Sequence, residues 1–262
     1  MAFDMNNFVI DRIIRGVALS QKDDSVLFSI NQIQNASLNC ASESTDAVDA
    51  MGTPIATFYR AKTAEFSAEN ALFDMNLMAT QLGTSKKVAS ANSKVVAPAM
   101  ESFVAEGGKY VLKHAPKAAP TEIYAINGDS TFGVKYVKET SASKTAFAYS
   151  EADHSITLPT DIDDNTEMFV MYEYETDKAV EVVNSAKNFP VGCKFVMEVL
   201  GCDVCDQTSL IYAYIVFPNF KLSPDFDWSV ATDGAHPFSG KAQQDYCDKE
   251  KKLFSVIIPG EA

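Results

Sequence analysis

Near the C-terminal end of the chain, the stretch "DGAHPFSGKAQQDYC" carries an Asp, a His and a Cys: Asp233, His236 and Cys247. A thiolate nucleophile with an imidazole base and a carboxylate to orient it would perform acyl transfer, and such triads are recognised by geometry rather than by order along the chain. The neighbours of Cys247 oppose this chemistry. Asp245 and Asp248 flank it, and negative charge beside a thiol disfavours the thiolate. His236 precedes Pro237, which drives it into extended backbone just after an Asp-Gly turn. The expectation is a turn and an extended segment, with no catalysis.

Two further constellations invite a metal. Cys202-Asp203-Val204-Cys205 has the spacing of half a zinc site or of a thiol redox pair. A closed zinc site needs two more Cys or His at compatible spacing, and Cys40, Cys193, Cys247 and His236 are scattered. A redox pair would open a helix after a strand, whereas this one lies between two strand candidates. In "DIDDNTE", Asp161 to Glu167, carboxylates cluster as in a calcium loop, yet Thr166 and Tyr172 stand where an EF-hand has Gly and Glu. A solvated hairpin turn is the expectation there. No phosphate-binding glycine loop, nucleophile elbow or HExxH pair occurs. The residues point to no enzyme, no cofactor and no metal. They predict that Cys202, Cys205, Cys247 and His236 serve packing alone.

The elements around these residues are mostly strands. "SVLFSINQIQNASLNCAS", Ser25 to Ser42, alternates apolar and polar positions and reads as strand, turn, strand. An acidic loop to Asp49, a Met-Gly-Thr-Pro turn and a strand from Ile55 to Phe66 follow. The apolar spacing of Leu72, Met75, Met78 and Leu82 then predicts an amphipathic helix over Ala68 to Leu82, with Ser67 as N-cap and Gly83 beyond its end. Short β candidates fill the middle: "TEIYAI", "TFGVKYV", "TAFAYS", "HSITL", "EMFVMYEY" and "KAVEVV". Turn residues separate them at the spacing of a sandwich or barrel. Longer strands return in "CKFVMEVLG", in "SLIYAYIVFPNFKL", where Pro218 is read as a break, and in the closing "KLFSVIIPG".

Bulk properties narrow the function classes. The chain has 262 residues, 22 Lys and Arg against 35 Asp and Glu, and a net charge of −13. That balance is the opposite of a surface built to neutralise phosphates. Five cysteines are an odd count that fits reduced thiols. The opening residues "MAFDMNNFVIDRIIRG" lack the apolar core of a secretory signal. The longest apolar run, Leu210 to Phe217, falls short of the roughly 20 residues that cross a bilayer. A soluble protein made in the cytoplasm, without a membrane partner, is the expectation.

Two stretches carry a resemblance. "DG-x-HPF", then a short polar segment, a loop and a terminal "LFSVII" strand, resembles the C-terminal end of bacteriophage tail-tube (major tail, inner tube) proteins, and "IVFPNFKL" looks like their penultimate strand. "DAVDAMGTPIATFYRAKTAEFSAENALFDMNLMATQLG" is similar to the acidic loop, strand, "FSxENAL" junction and helix of the same family. The resemblance covers about Asn31 to Pro98 and Val191 to Ile258.

It implies a mainly β subunit of two packed antiparallel sheets, sandwich- or barrel-like, with one flanking α-helix, and a structural virion role without an active site. Residues 1–112 and 188–262 would form the tube-like core; the β-rich middle, 113–187, departs from the family pattern and would be either an inserted domain or an elaboration of the sheets. Such subunits form hexameric rings that stack into a tube conducting DNA. The implied partners are copies of itself, other tail proteins such as the tape measure, baseplate or terminator and sheath, and DNA only in transit. The implied location is the virion tail. The candidate subunit contacts are Glu43, Asp46 and Asp49 in the acidic loop from Cys40 to Met51, Lys86 and Lys87 after the helix, and Phe254 and Ile257 in the terminal strand. The alternative is a β-rich decoration or adhesion module that does not polymerise.

Overall fold

The computed structural model describes residues 7–232, 234–245 and 249–260. Its elements are, in order, β1 (Phe8–Ser20), β2 (Val26–Ile30), β3 (Ile33–Val48), β4 (Pro54–Asn70), α1 (Met75–Gln81), β5 (Lys87–Val88), β6 (Val95–Val104), β7 (Lys109–Val111), β8 (Glu122–Ile126) and β9 (Phe132–Glu139). They continue with β10 (Ala146–Ser150), β11 (Ser155–Thr157), β12 (Glu167–Thr176), β13 (Val180–Glu181), β14 (Gly192–Asp203), β15 (Asp206–Leu222), β16 (His236–Ala242) and β17 (Ser255–Ile257). The protein is mainly β, with several antiparallel sheets and, among the described residues, a single helix. The chain divides into two compact units, one of residues 1–86 and 182–262 and one of residues 87–181.

The first unit is an eight-stranded sheet with the order β2-β1-β14-β15-β16-β4-β3, β17 also pairing with β15. Alternation along β14 turns Cys193, Phe195, Met197 and Val199 inward, as period-2 geometry requires. The sheet curls on itself. Phe66 of β4 and Phe195 of β14 are three strand positions apart, about 14 Å in a flat sheet, yet their ring centroids lie 6.0 Å apart. At the far ends, Gly16 of β1 lies against both Ile33 of β3 and Phe195, so close that a Cβ there would sit 3.0 Å from each.

Pro218 does not break β15. Cys193 pairs with Phe220 but Phe195 with Phe217, so β15 carries one extra residue at Pro218–Asn219. This bulge lets two phenylalanines three positions apart both face inward. It also places the proline, which has no N–H to give, between the stretches where β15 pairs with β17 and with β16.

The helix begins later than its apolar spacing predicts. Ala64, Phe66, Ala68 and Asn70 alternate inward, and their pairing with β16 extends β4 to Asn70. Ser67 is therefore a strand residue. The N-cap is Asp74, whose carboxylate accepts the N–H groups of Asn76 and Leu77. The buried helical face is Leu77, Ala79 and Gln81, while Leu72 is exposed. At the other end, Gly83 N–H donates to Thr80 and Thr84 N–H to Ala79, the paired bonds of a Schellman cap. Gly83 has φ +65°, and a Cβ there would meet the Phe189 backbone at 2.3 Å.

The second unit is a seven-stranded sheet, β6-β12-β8-β9-β10-β11-β7, antiparallel except for the β9–β10 pair. Its division from the first unit differs from the boundaries at 113 and 187 expected above. β6 pairs with β12 along its whole length and β7 pairs with β11, so residues 95–111 belong with the insertion. β5 and β13 pair antiparallel where the chain leaves for this unit and returns from it.

Phe195→Ala should lower the stability of the first unit by about 3–5 kcal/mol, measured by urea denaturation. Replacing residues 87–181 with a short Gly-Ser linker should leave a β-sheet protein with a cooperative melt, because Lys87 and Glu181 are cross-strand partners. Loss of the far-ultraviolet β signal in that variant would show that the units depend on each other.

Candidate functional site

His236 opens β16 and is 1% exposed. Its Nε2–H donates to Gln81 Oε1 at 2.8 Å. The tautomer follows from the partners: the Gln81 amide donates to Pro237 O, and Nδ1 accepts the Asp74 N–H at 3.4 Å. The imidazole ties the helix to the sheet. Asp233 and Cys247 lie outside the described residues.

Cys202 and Cys205 flank the turn between β14 and β15, where Asp203 accepts the Cys205 N–H at 2.7 Å. Cys193 is a core residue whose thiol burial pushes its pKa up to about 12, and its S–H donates to Phe220 O. In the Asp161 to Glu167 turn, Asp161 pairs with Lys144 and Asp164 accepts the Gly107 N–H. Among the described residues no three His, Cys, Asp or Glu side chains converge as metal ligands.

One buried acid escaped the sequence reading. Glu101 of β6 is 4% exposed and accepts hydrogen bonds from the hydroxyls of Tyr110 and Tyr172 and from the Lys113 N–H. Burial, and then the Glu101 carboxylate beside it, pushes the Tyr110 phenol up to about 12, and Tyr172 rises for the same reasons. β6 and β7 are the two edges of the second sheet. Side-chain bonds to Glu101 thus bridge a seam that no backbone ladder closes. The available signal was an acid at an inward position of an alternating strand, between Ala99 and Phe103.

The β3–β4 hairpin leaves long stretches of backbone without a further strand partner among the described residues. β16 pairs β4 only from Glu65 to Asn70; beyond it β3 and β4 run on as a two-stranded ribbon, paired back to Val48 and Pro54. Residues 54–63 are all exposed. The expected acidic loop from Cys40 to Met51 is therefore strand as far as Val48. Continuous register from Glu43 to Ala47 puts Glu43 and Asp46 on opposite faces. Asp46 accepts the Thr57 hydroxyl. Asp49 accepts the N–H groups of Met51 and Thr53, and the Thr53 bond above all holds its carboxyl below the ordinary range. Met51, 91% exposed, sits at the tip, with Ile55, Phe58 and Tyr59 exposed behind it.

A family model, that of the YomU/Tube protein family, matches residues 8–255. The chain belongs to the YomU/Tube protein family. The match is consistent with a phage tail-tube family and with the resemblance read from the sequence, and it points to a structural, tube-like role and a virion tail component. No curated protein sequence matches the chain. The YomU/Tube range runs from the first residue of β1 to the first of β17 and so spans both units.

The other candidate contacts are dispersed. Lys86 and Lys87 fall on either side of the division between units, and Lys87 pairs with Glu181 at 3.8 Å. Phe254 packs its ring on Phe217 at 5.8 Å, while Ile257 is exposed on β17 opposite Tyr214. No helix among the described residues is long and apolar enough to cross a membrane.

Glu101→Ala leaves two phenols and an N–H without their acceptor, each costing about 1–3 kcal/mol when buried. The second unit should therefore lose about 3 kcal/mol or more, read by urea denaturation of residues 87–181.

Proposed function

We propose that this chain is the self-assembling subunit of a phage tail tube, closing into hexameric rings that stack around a channel for DNA. The observation that carries this reading is the β3–β4 ribbon. A two-stranded hairpin is marginal in water by itself, and long exposed edges are features that monomers avoid. A ribbon with free edges and exposed Met51, Ile55 and Tyr59 fits a surface completed by a neighbouring copy. Stacking of like subunits needs two different complementary patches. The ribbon supplies one, with Ile257 on β17 as a further contact. The net charge of −13 suits a wall that lets DNA pass without gripping its phosphates. Tape-measure, baseplate or terminator, and sheath proteins would meet the tube at its ends and outer surface.

Negative-stain microscopy of the purified protein tests the class: rings or tubes support it, and uniformly separate particles favour the decoration or adhesion module. Glu43→Lys with Asp46→Lys reverses charge on both ribbon faces and spares Asp49, whose carboxyl holds the turn. Exposed pairs contribute only about 0.2–1 kcal/mol each. The double variant should therefore polymerise more slowly while its melt stays unchanged, and high salt should slow the native protein likewise. Assembly at the native rate would remove the acidic contact from the proposal.

A further inference from the structure

The chain contains one tryptophan, Trp228, in the irregular segment between β15 and β16. Its ring stacks on Phe73 at 4.5 Å and 17°. Phe73 in turn stacks against His236, at 5.2 Å and 20°. Phe226 approaches the same imidazole at 6.0 Å. Residues 223–232 therefore lie as a strap with two aromatic anchors, Phe226 against His236 itself and Trp228 linked to it through Phe73. The same ring holds both ends of α1, through the Asp74 N–H at the N-cap and Gln81 in the last turn.

This arrangement works for one protonation state. With Nδ1 bare, the imidazole accepts from Asp74 N–H and donates to Gln81, whose amide is already committed to Pro237 O. A second proton would place an N–H against the Asp74 N–H, donor facing donor. It would also put a charge in a site that is 1% exposed, where an unpaired charge is strongly disfavoured. The charged group that acts on the ring is Asp74, on the helix side; Asp225 and Asp227 flank Phe226 in the strap sequence, and Glu69 is the cross-strand partner of Pro237, one position along from the His236–Asn70 pair. Asp74 favours the cation, but its Oδ1 is occupied by two helix N–H groups.

We propose that His236 is a proton-operated clasp: neutral, it pins the 223–232 strap to α1 through Phe73, and protonated, it releases the strap while the sheet stays folded. The apolar core around Phe195 contains none of the strap's anchoring rings Phe73, Phe226 and Trp228, while Leu77 of α1 and Phe238 of β16 belong to it. The strap is held by rings that are partly exposed, Phe73 at 41% and Trp228 at 37%, so few contacts resist its release.

The direction of the pH effect follows from burial, which lowers the His236 pKa below its ordinary 6.5, Asp74 acting weakly against it. The open or unfolded form then binds the proton more readily. The clasp is fully closed above about pH 6.5 and weakens as pH falls below that value through the lowered pKa. The clasp does not depend on the tube reading.

Because Trp228 is the only tryptophan, its fluorescence reads the strap directly. Titrated from about pH 8 to about pH 5, the native protein should show a red shift of emission with a midpoint below 6.5, while far-ultraviolet circular dichroism stays constant. His236→Gln should abolish the transition, and His114→Gln with His154→Gln should leave it in place. Gln81→Glu puts a carboxylate against Nε2, which stabilises the imidazolium in the closed form, and should therefore shift strap release to lower pH or abolish it. Proton NMR of the His236 ring in the native protein supplies a test that needs no variant, since its titration must coincide with the fluorescence change. A transition that persists in His236→Gln, that fails to coincide with the ring titration, or that appears only with loss of circular dichroism overturns the proposal.

Discussion

Five phenylalanine rings, Phe28, Phe66, Phe217, Phe220 and Phe238, lie within 6.2 Å of the Phe195 ring, and the curvature of the first unit follows from that crowding. They come from β2, β4, β15 and β16 and surround a ring on β14, strands spread across the whole sheet. Burying a phenylalanine contributes roughly 1.5–3 kcal/mol, and a flat sheet would leave these rings in water. Rolling the sheet brings them together, and the bulge at Pro218–Asn219 supplies the extra inward position that the roll needs. The roll also has a limit. It draws in the proximal halves of β3 and β4 and leaves their distal halves without a sheet to pack on. The projecting ribbon is thus the remainder of the packing that builds the core.

The second unit reaches closure by different means. Its apolar core includes Ile123, Phe147, Ile156, Met168 and Val170, but its two edge strands meet through the Glu101 carboxyl on β6 and the Tyr110 phenol on β7 rather than through a ladder, with Tyr172 of β12 donating to the same carboxyl. Such a network is directional, and each member is costly to leave unmatched. That gives residues 87–181 a defined closed state despite their small size. The groups that donate to Glu101, on Tyr110, Lys113 and Tyr172, all belong to this same unit.

Much of this was legible in the residues. Period-2 alternation located most of the strands in both units, and the mainly β class with one helix followed from it. The helix start was misplaced because Ala68 and Asn70 satisfy the inward alternation of β4 while the apolar spacing that follows imitates a helix. β1 passed unread because only Gly16 and Ala18 of its residues are buried, too few to mark a period. Pro218 read as a break because a bulge is a property of two paired strands. The unit boundary was placed late because β6 pairs with β12, a contact that crosses more than sixty residues. His236 was read as a packing residue from its sequence neighbours, whereas its partners Gln81 and Asp74 are far away in sequence, and no spacing announces them.

The β5–β13 pairing has a mechanical consequence. The chain leaves for residues 87–181 and returns side by side, held by Lys87 opposite Glu181 and Val88 opposite Val180. Both strands are continuous with the chain at each end, so a pull on residues 87–181 would run along the two together, and the hydrogen bonds between them would lie across the line of force. The load would be shared by two strands held in register rather than carried by one.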